Sequence, residues 1–252
     1  SVLVTGLFDA SLASEVGITV NGYVALQDGN EFAALIPIDS QTTTVTATLK
    51  DPAGTFIAGD AVPITPLLPS TDPVLNFRPS PAIAFVTQPV NFTLTSLNEI
   101  SQVQLDGNGD GTVDSTGATL NGVSVTFAEP GLYYPSVTVT EPGGTVRTTT
   151  ALMQVLDMSQ LDALLTSKWN GMKNALRSGN TAAAADYIVK SKRVNYQTVF
   201  NSLTVPFASI DQVLTNITYA GQTGLNVEYE MLRTDGADLI SYMVVFVLDE
   251  DG

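Results

Sequence analysis

Val103-Gln104-Leu105-Asp106-Gly107-Asn108-Gly109-Asp110-Gly111-Thr112-Val113-Asp114 begins as a strand and ends as a loop. Val103 and Leu105 alternate with Gln104, the period of a strand that buries one face. From Asp106 onward, oxygen-bearing side chains fall at the first, third, fifth and ninth loop positions, with glycine at the sixth. Calcium is a hard cation that takes about six to eight oxygens, and a tight loop of this spacing wraps them around one point. Asp106, Asn108, Asp110 and Asp114 are the candidate side-chain ligands, and Thr112 offers its backbone carbonyl. Gly111 permits the sharp turn that a residue with a Cβ would resist. The twelfth position, where a bidentate glutamate belongs, is Gly117, so a further ligand is expected from water or another loop. The competing reading is an acidic, glycine-rich hairpin loop that holds no ion.

Working outward from this strand, residues 74–156 read as one β-sandwich. Val90-Asn91-Phe92-Thr93-Leu94-Thr95 alternates, Val123, Val125 and Phe127 point inward, and Val137 and Val139 share a face with Tyr133. Residues 1–66 read as a second, preceding sandwich of short strands. Gly17 to Val24 gives a strand around Ile18 and Val20, with a turn at Asn21-Gly22, a strong hairpin signal. Phe32 to Ile38 follows, and then Thr44 to Leu49, with Val45, Ala47 and Leu49 on one face and a turn at Asp51-Pro52-Ala53-Gly54. Pro66 to Pro73 holds three prolines and reads as a short semi-rigid spacer.

The pattern changes at Asp157. Leu161, Leu164, Leu165, Trp169, Met172 and Leu176 recur at helical spacing from Ser159 to Arg177, with Ser159 and Asp162 as a short capping pair. Gly179-Asn180 ends that helix. Further helices are expected over Thr181–Val189, over Asn195–Leu203 (Tyr196, Val199, Phe200 and Leu203 on one side), and over Ile210–Ile217. Strands at Gly224–Leu232 and Leu239–Leu248 join through a turn at Asp235-Gly236. Helices followed by an antiparallel sheet make residues 157–252 an α+β domain.

Composition narrows the chemistry. The chain has 252 residues, a hydrophobic fraction of 44% and a net charge of −15, from 10 Lys+Arg against 25 Asp+Glu. Such hydrophobicity excludes disorder. The charge argues against nucleic acid and anionic membranes, because phosphate binding needs clustered Lys and Arg. No apolar run approaches the roughly 18–20 residues that span a bilayer, so no membrane insertion is expected. Cysteine and histidine are both absent. Disulfides, thiol catalysis, Ser–His–Asp triads and ordinary zinc sites are thereby excluded. Asp186, Glu228, Tyr229 and Glu230 are the only groups that tempt an acid–base reading, and they form no motif. Alternation puts Glu228 and Glu230 on one strand face, where an acidic surface facing solvent is the favoured reading. Trp169 and Tyr196 are read as core residues, and Tyr133 as a corner residue that anchors a strand to backbone. Lys190, Lys192 and Arg193 form the local basic cluster, read as a helix C-terminal cap or an anion site.

Three resemblances follow from these residues. Val20-Asn21-Gly22, Phe32-Ala33-Ala34 and Lys50-Asp51-Pro52-Ala53-Gly54 resemble the bacterial immunoglobulin-like domains of surface proteins and secreted glycosidases. Phe127-Ala128-Glu129-Pro130-Gly131-Leu132-Tyr133, with Val137-Thr138-Val139-Thr140 and Glu141-Pro142-Gly143-Gly144, resembles the polycystic-kidney-disease (PKD) type of immunoglobulin-like module. That family's aromatic strand is not intact here; Val103-Gln104-Leu105-Asp106 and the metal-type loop stand in its place. The helix with Trp169 and Met172-Lys173-Asn174-Ala175-Leu176, then Gly179-Asn180 and Ser191-Lys192-Arg193-Val194-Asn195-Tyr196, resembles the nuclear transport factor 2-like cone fold. Asp249-Glu250-Asp251-Gly252 is a turn signal where a cone-fold sheet continues into another strand, so a C-terminally truncated fragment is expected.

Together these imply two all-β immunoglobulin-like sandwiches followed by an α+β cone domain, with calcium as the cofactor and no catalytic residues. The expected role is a non-catalytic, secreted or cell-surface (or periplasmic) protein for domain presentation, adhesion, or polysaccharide or protein binding. The alternatives are an enzyme with an isomerase- or hydrolase-like pocket in the third domain, or an accessory region of a larger glycosidase or toxin.

Overall fold

The structure is a computed structural model, and it describes residues 2–12, 16–64, 74–203 and 205–250. The proline-rich spacer expected at 66–73 lies outside the described residues. The chain divides into two compact units. The first holds the N-terminal strand with residues 18–48 and 58–158; the second holds 159–252 together with 15–17 and the turn segment 49–57.

The first β-module is built from β1 (Val2–Leu7), β2 (Gly17–Val20), β3 (Tyr23–Val24), β4 (Leu26–Asp28), β5 (Glu31–Ile36), β6 (Thr44–Lys50) and β7 (Phe56–Pro63). They form a three-stranded sheet, β1-β5-β4, and a four-stranded sheet, β3-β2-β6-β7. Asn21 and Gly22 take φ of +49° and +82°. Both values are left-handed, as the tight hairpin turn between β2 and β3 requires. Ile18, Val20, Phe32, Ile36 and Val45 are buried. Strands β1 and β4 were not expected from the sequence. In β1, Gly6 interrupts the alternation, and the Phe32 ring lies over it from the paired strand.

The second β-module comprises β8 (Leu75–Ser80), β9 (Ile83–Phe85), β10 (Val90–Ser96), β11 (Gln102–Asp106), β12 (Ser115–Gly117), β13 (Ser124–Val125), β14 (Gly131–Tyr133), β15 (Ser136–Thr140), β16 (Val146–Thr150) and β17 (Met153–Leu156). Its sheets run β13-β10-β8, β12-β11-β15-β16 and β14-β17-β9. β17 pairs with β9 in parallel, so the end of the module closes on its beginning. In the central ladder, Val103 faces Val139 and Leu105 faces Val137, all four buried. These pairs join Phe77, Phe92, Phe127 and Met153 in one core. Each fully buried aliphatic side chain contributes about 1.5–3 kcal/mol relative to exposure.

The second unit starts with α1 (Met158–Arg177), continues through α2 (Thr181–Ala185) and α3 (Arg193–Asn201), and passes a 3₁₀ turn at Phe207–Gln212. An antiparallel sheet follows, β18 (Ile217–Thr223), β19 (Asn226–Asp235) and β20 (Asp238–Val247), in that order. Leu165, Trp169, Met172 and Leu176 form the buried stripe of α1. After α1, Gly179 takes φ of +75°, and its N–H and that of Asn180 return to the carbonyls of Leu176 and Ala175. The next turn is capped by Asn180, whose Oδ1 accepts from Ala183 N at 3.0 Å. Val227, Tyr229 and Met231 of β19 are buried toward the helices.

Several sequence expectations for this unit are corrected. The helix expected to reach Val189 stops at Ala185, and the one expected at Ile210–Ile217 is the 3₁₀ turn and then strand β18. Strand β18 carries a register shift between Tyr219 and Gly221, which breaks the alternation that would have marked it. In α3 only Phe200 is buried; Tyr196 and Val199 are 46% and 54% exposed, so Tyr196 is not a core residue. Among the described residues no helix is long and apolar enough to cross a membrane.

Candidate functional site

Inner strand β11 ends at Asp106, paired with Ser136, and β12 takes the chain back from Ser115. The loop between them folds around the Asp106 carboxylate. Its Oδ1 accepts from Gly109 N at 2.7 Å and Asp110 N at 3.2 Å, and its Oδ2 accepts from Gly111 N at 2.8 Å. Asp114 Oδ2 accepts from Gly107 N at 2.7 Å, and Asp114 N donates back to Leu105 O at 2.7 Å, closing the loop base. Asn108 Oδ1 accepts from Asp110 N at 3.0 Å, and Asn108 Nδ2 donates to Asp110 Oδ2 at 3.0 Å. Asp110 Oδ1 accepts from Thr112 N at 2.7 Å.

The hydrogen bond from Asn108, followed by that from Thr112, holds the Asp110 carboxyl below its ordinary range. Gly109 and Gly111 take φ of +79° and +89°, the left-handed turns that bring these groups together. The loop base is packed as well: a Cβ on Gly107 would lie 2.6 Å from Val125 Cγ2.

Asp106, Asn108, Asp110, Thr112 and Asp114 thus sit in one loop, with every side-chain donor an oxygen that a hard cation prefers. As they stand, these oxygens accept from loop N–H groups. Among the described residues no three His, Cys, Asp or Glu side chains are gathered to hold a metal ion. The kind of donor fits calcium; the converged geometry of a filled site is not what the loop adopts here.

Tyr133 is a corner residue. Its hydroxyl donates to Glu129 O, four residues upstream, at 2.9 Å, and its ring meets Phe127 with centroids 4.5 Å apart. The neighbouring Tyr134 donates to Glu31 Oε1 at 3.0 Å; burial and then that carboxylate push its phenol up to about 12.

The groups weighed for acid–base chemistry do not converge. Asp186 is exposed at the end of α2, Glu230 is exposed and accepts from Ser241 Oγ at 2.7 Å, and Glu228 is half-buried. Tyr229 faces the opposite side, fully buried, and donates to Asp162 Oδ1 at 2.8 Å. Burial, then this bond, raises the Tyr229 hydroxyl pKa. Asp162 therefore pins α1 to the sheet, a role the capping reading missed. The sequence signal was its place in the stripe 162, 165, 169, 172, 176, where an acid needs a partner.

Lys173, also unremarked in the sequence, is buried on α1 and reaches Asp211 Oδ1 at 2.8 Å, beside Arg177. In the basic cluster, Lys190 meets Glu250 at 2.6 Å and Arg193 Nε donates to Ile188 O at 3.0 Å.

No family model matches the chain, and no curated protein matches it in sequence. Among solved structures, the fibronectin(III)-like modules of Clostridium thermocellum CbhA align at TM-score 0.25 and 13% identity, over 62% of this chain and 85% of that one. A Bacteroides ovatus mixed-linkage glucan utilization locus protein, SGBP-B, in complex with a mixed-linkage heptasaccharide, aligns at TM-score 0.21 and 15% identity. PcdhgB3 EC1-4 aligns at 0.20 and 11%. Each of the latter two alignments covers 62% of this chain but only 41% and 40% of the partner. Overlaps this loose carry no argument. The class of the fold, mostly β-sandwich sheets with a few helices, stands on the strand pairings and cores described above.

Proposed function

We propose that this chain is a non-catalytic presenting or binding segment of a secreted or cell-surface protein, with calcium stabilising its second β-module. In this reading the first two modules are of the bacterial immunoglobulin-like and PKD types, and the helix–sheet unit is of the nuclear transport factor 2-like type. Asp106, Asn108, Asp110 and Asp114 would hold the ion through side-chain oxygens, and Thr112 through its carbonyl. Bound calcium would supply fixed positive charge among these acids, cross-linking β11 to β12. A protein or polysaccharide ligand is the partner class that such a segment would meet.

The observation that carries the reading is the loop itself. Five residues of the nine-residue stretch 106–114 supply an all-oxygen donor set where β11 turns back into β12, with left-handed glycines where the turns need them. The net charge of −15 suits a medium where divalent cations are plentiful. The isomerase- or hydrolase-like alternative would need a carboxylate held in an apolar site without a partner; Asp162 is bound by Tyr229, and Asp186 is exposed.

Calorimetric titration of the full chain with calcium is the test. We expect a chelator-reversible site of Kd roughly 10⁻⁴–10⁻³ M, the weak extracellular range expected without the bidentate glutamate. Asp110→Ala should abolish it. No heat at millimolar calcium would remove the metal from the proposal.

A further inference from the structure

Tyr134 stands between two features that the sequence treats as unrelated. Its side chain belongs to a joint between the two β-modules of the first unit: the hydroxyl donates to Glu31 Oε1, on β5, at 3.0 Å. Beside it, the buried Gln154 of β17 donates Nε2 to Gln27 O, on β4, at 2.6 Å. Gly131 also lies at this joint, where a Cβ would make ordinary contact with Asp28 Oδ2 at 3.5 Å. The backbone of Tyr134 is the floor of the acidic loop. A Cβ at Gly109 would come within 2.6 Å of Tyr134 O and 2.9 Å of its carbonyl carbon. Pro135, next in the chain, is buried, and Ser136 is already paired with Asp106. Tyr134 is therefore fixed on both sides, and a shift of the loop at Gly109 has backbone, not a yielding side-chain tip, to push against.

We propose that Tyr134 couples the 106–114 loop to the joint between the two β-modules, so that displacing the loop at Gly109, where it rests on the Tyr134 backbone, loosens the joint, and loosening the joint loosens the loop there. The reciprocity is required of any coupling between two local equilibria. If the loop binds calcium, the ion would stiffen the joint through the same residue; that extension rests on the calcium reading above, whereas the coupling does not.

Hydrogen–deuterium exchange of the full chain tests this. Gly109→Ala is expected to speed exchange about fivefold in peptides covering 26–31 and 131–134, the loss of roughly one net hydrogen bond. Gly111→Ala is the control. It has a similar left-handed φ, but its Cβ meets nothing within 4 Å, so it should disturb the loop and leave the joint peptides unchanged. Tyr134→Phe removes only the bond to Glu31, and should speed exchange in the loop peptide 106–114 as well as at the joint. This variant decides the matter even if Gly109→Ala fails to fold. Faster exchange confined to the mutated side in Gly109→Ala or in Tyr134→Phe overturns the coupling. Calcium at about 10 mM, with binding followed separately by calorimetry, completes the test. Binding heat without slower exchange at the joint overturns the coupling and leaves the calcium reading intact. Absence of heat overturns the calcium reading, and the variants still decide the coupling.

Discussion

Polar side chains decide how the second unit is held together, because two of them, Tyr229 and Lys173, sit where burial makes an unpaired group expensive. Tyr229 is fully buried, and Asp162 accepts its hydroxyl at 2.8 Å. A hydrogen bond to a charged group contributes about 1.5–3 kcal/mol net. Tyr229→Phe should therefore lower the unit's stability by about 2 kcal/mol, read from the shift in its urea midpoint. An unchanged midpoint would mean that Asp162 finds solvent at no cost. The buried Lys173 poses the same problem with the opposite charge. Asp211 answers it together with Arg177, and the bonds from Arg177 and then Lys173 lower the Asp211 pKa from 3.8 to about 2. A carboxylate with a depressed folded-state pKa stabilises the fold above its ordinary pKa, and that stability is lost as pH falls toward the folded value. The contribution of this carboxylate to the second unit should accordingly be intact above about pH 4 and be lost between about pH 4 and 2. Asp211→Asn should lower its melting temperature at pH 7 and flatten that acid limb; an unaltered limb would assign it to other acids, Glu250 first among them.

Elements were legible wherever one period ran uninterrupted. The stripe of α1 marks a helix whose start and end the structure places within a residue of the expectation, and the Asn21-Gly22 hairpin forms as its turn chemistry requires. Legibility failed where a local irregularity cut the pattern. Gly6 hid β1, the register shift near Tyr219 hid β18, and the exposure of Tyr196 and Val199 comes from α3 burying little beyond Phe200. The candidate loop could be read residue by residue, since its spacing is local. The bond between Asp162 and Tyr229 spans 67 positions and has no local signature.

Strand β20 adds an element-scale consequence. It is ten residues long, lies at the edge of its sheet, and pairs with β19 in unbroken register. Leu239, Met243, Val245 and Val247 stand exposed on it, with no lysine or proline to blunt the edge. Edges of that kind template pairing with other chains. Val245→Lys should delay heat-induced aggregation, followed by light scattering, while moving stability by no more than about 0.5 kcal/mol. Aggregation unaffected by the lysine would locate the sticky surface elsewhere.

At the scale of the whole molecule, the division into two compact units makes calcium a test of location as well as of binding. The loop at 106–114 lies in the first unit, whose two β-modules cluster together, and none of its candidate ligands lies in the second. A ligand that binds only the folded state adds RT ln(1 + [L]/Kd), about 2.7 kcal/mol at 100-fold excess over Kd. For modules of this size that corresponds to a rise of several degrees, roughly 2–4 °C for each kcal/mol. Calorimetry of the full chain should therefore show two transitions. With calcium, the one carrying both β-modules should rise, while the one carrying α1 and the β18–β20 sheet stays within error. Asp110→Ala should erase the difference without moving the second transition. If both transitions rise together and the variant erases both shifts, the units unfold as one and the ion stabilises the whole chain. If both rise and Asp110→Ala changes neither, the ion binds away from this loop, and the oxygen pattern from Asp106 to Asp114 is a hairpin held by its own N–H groups.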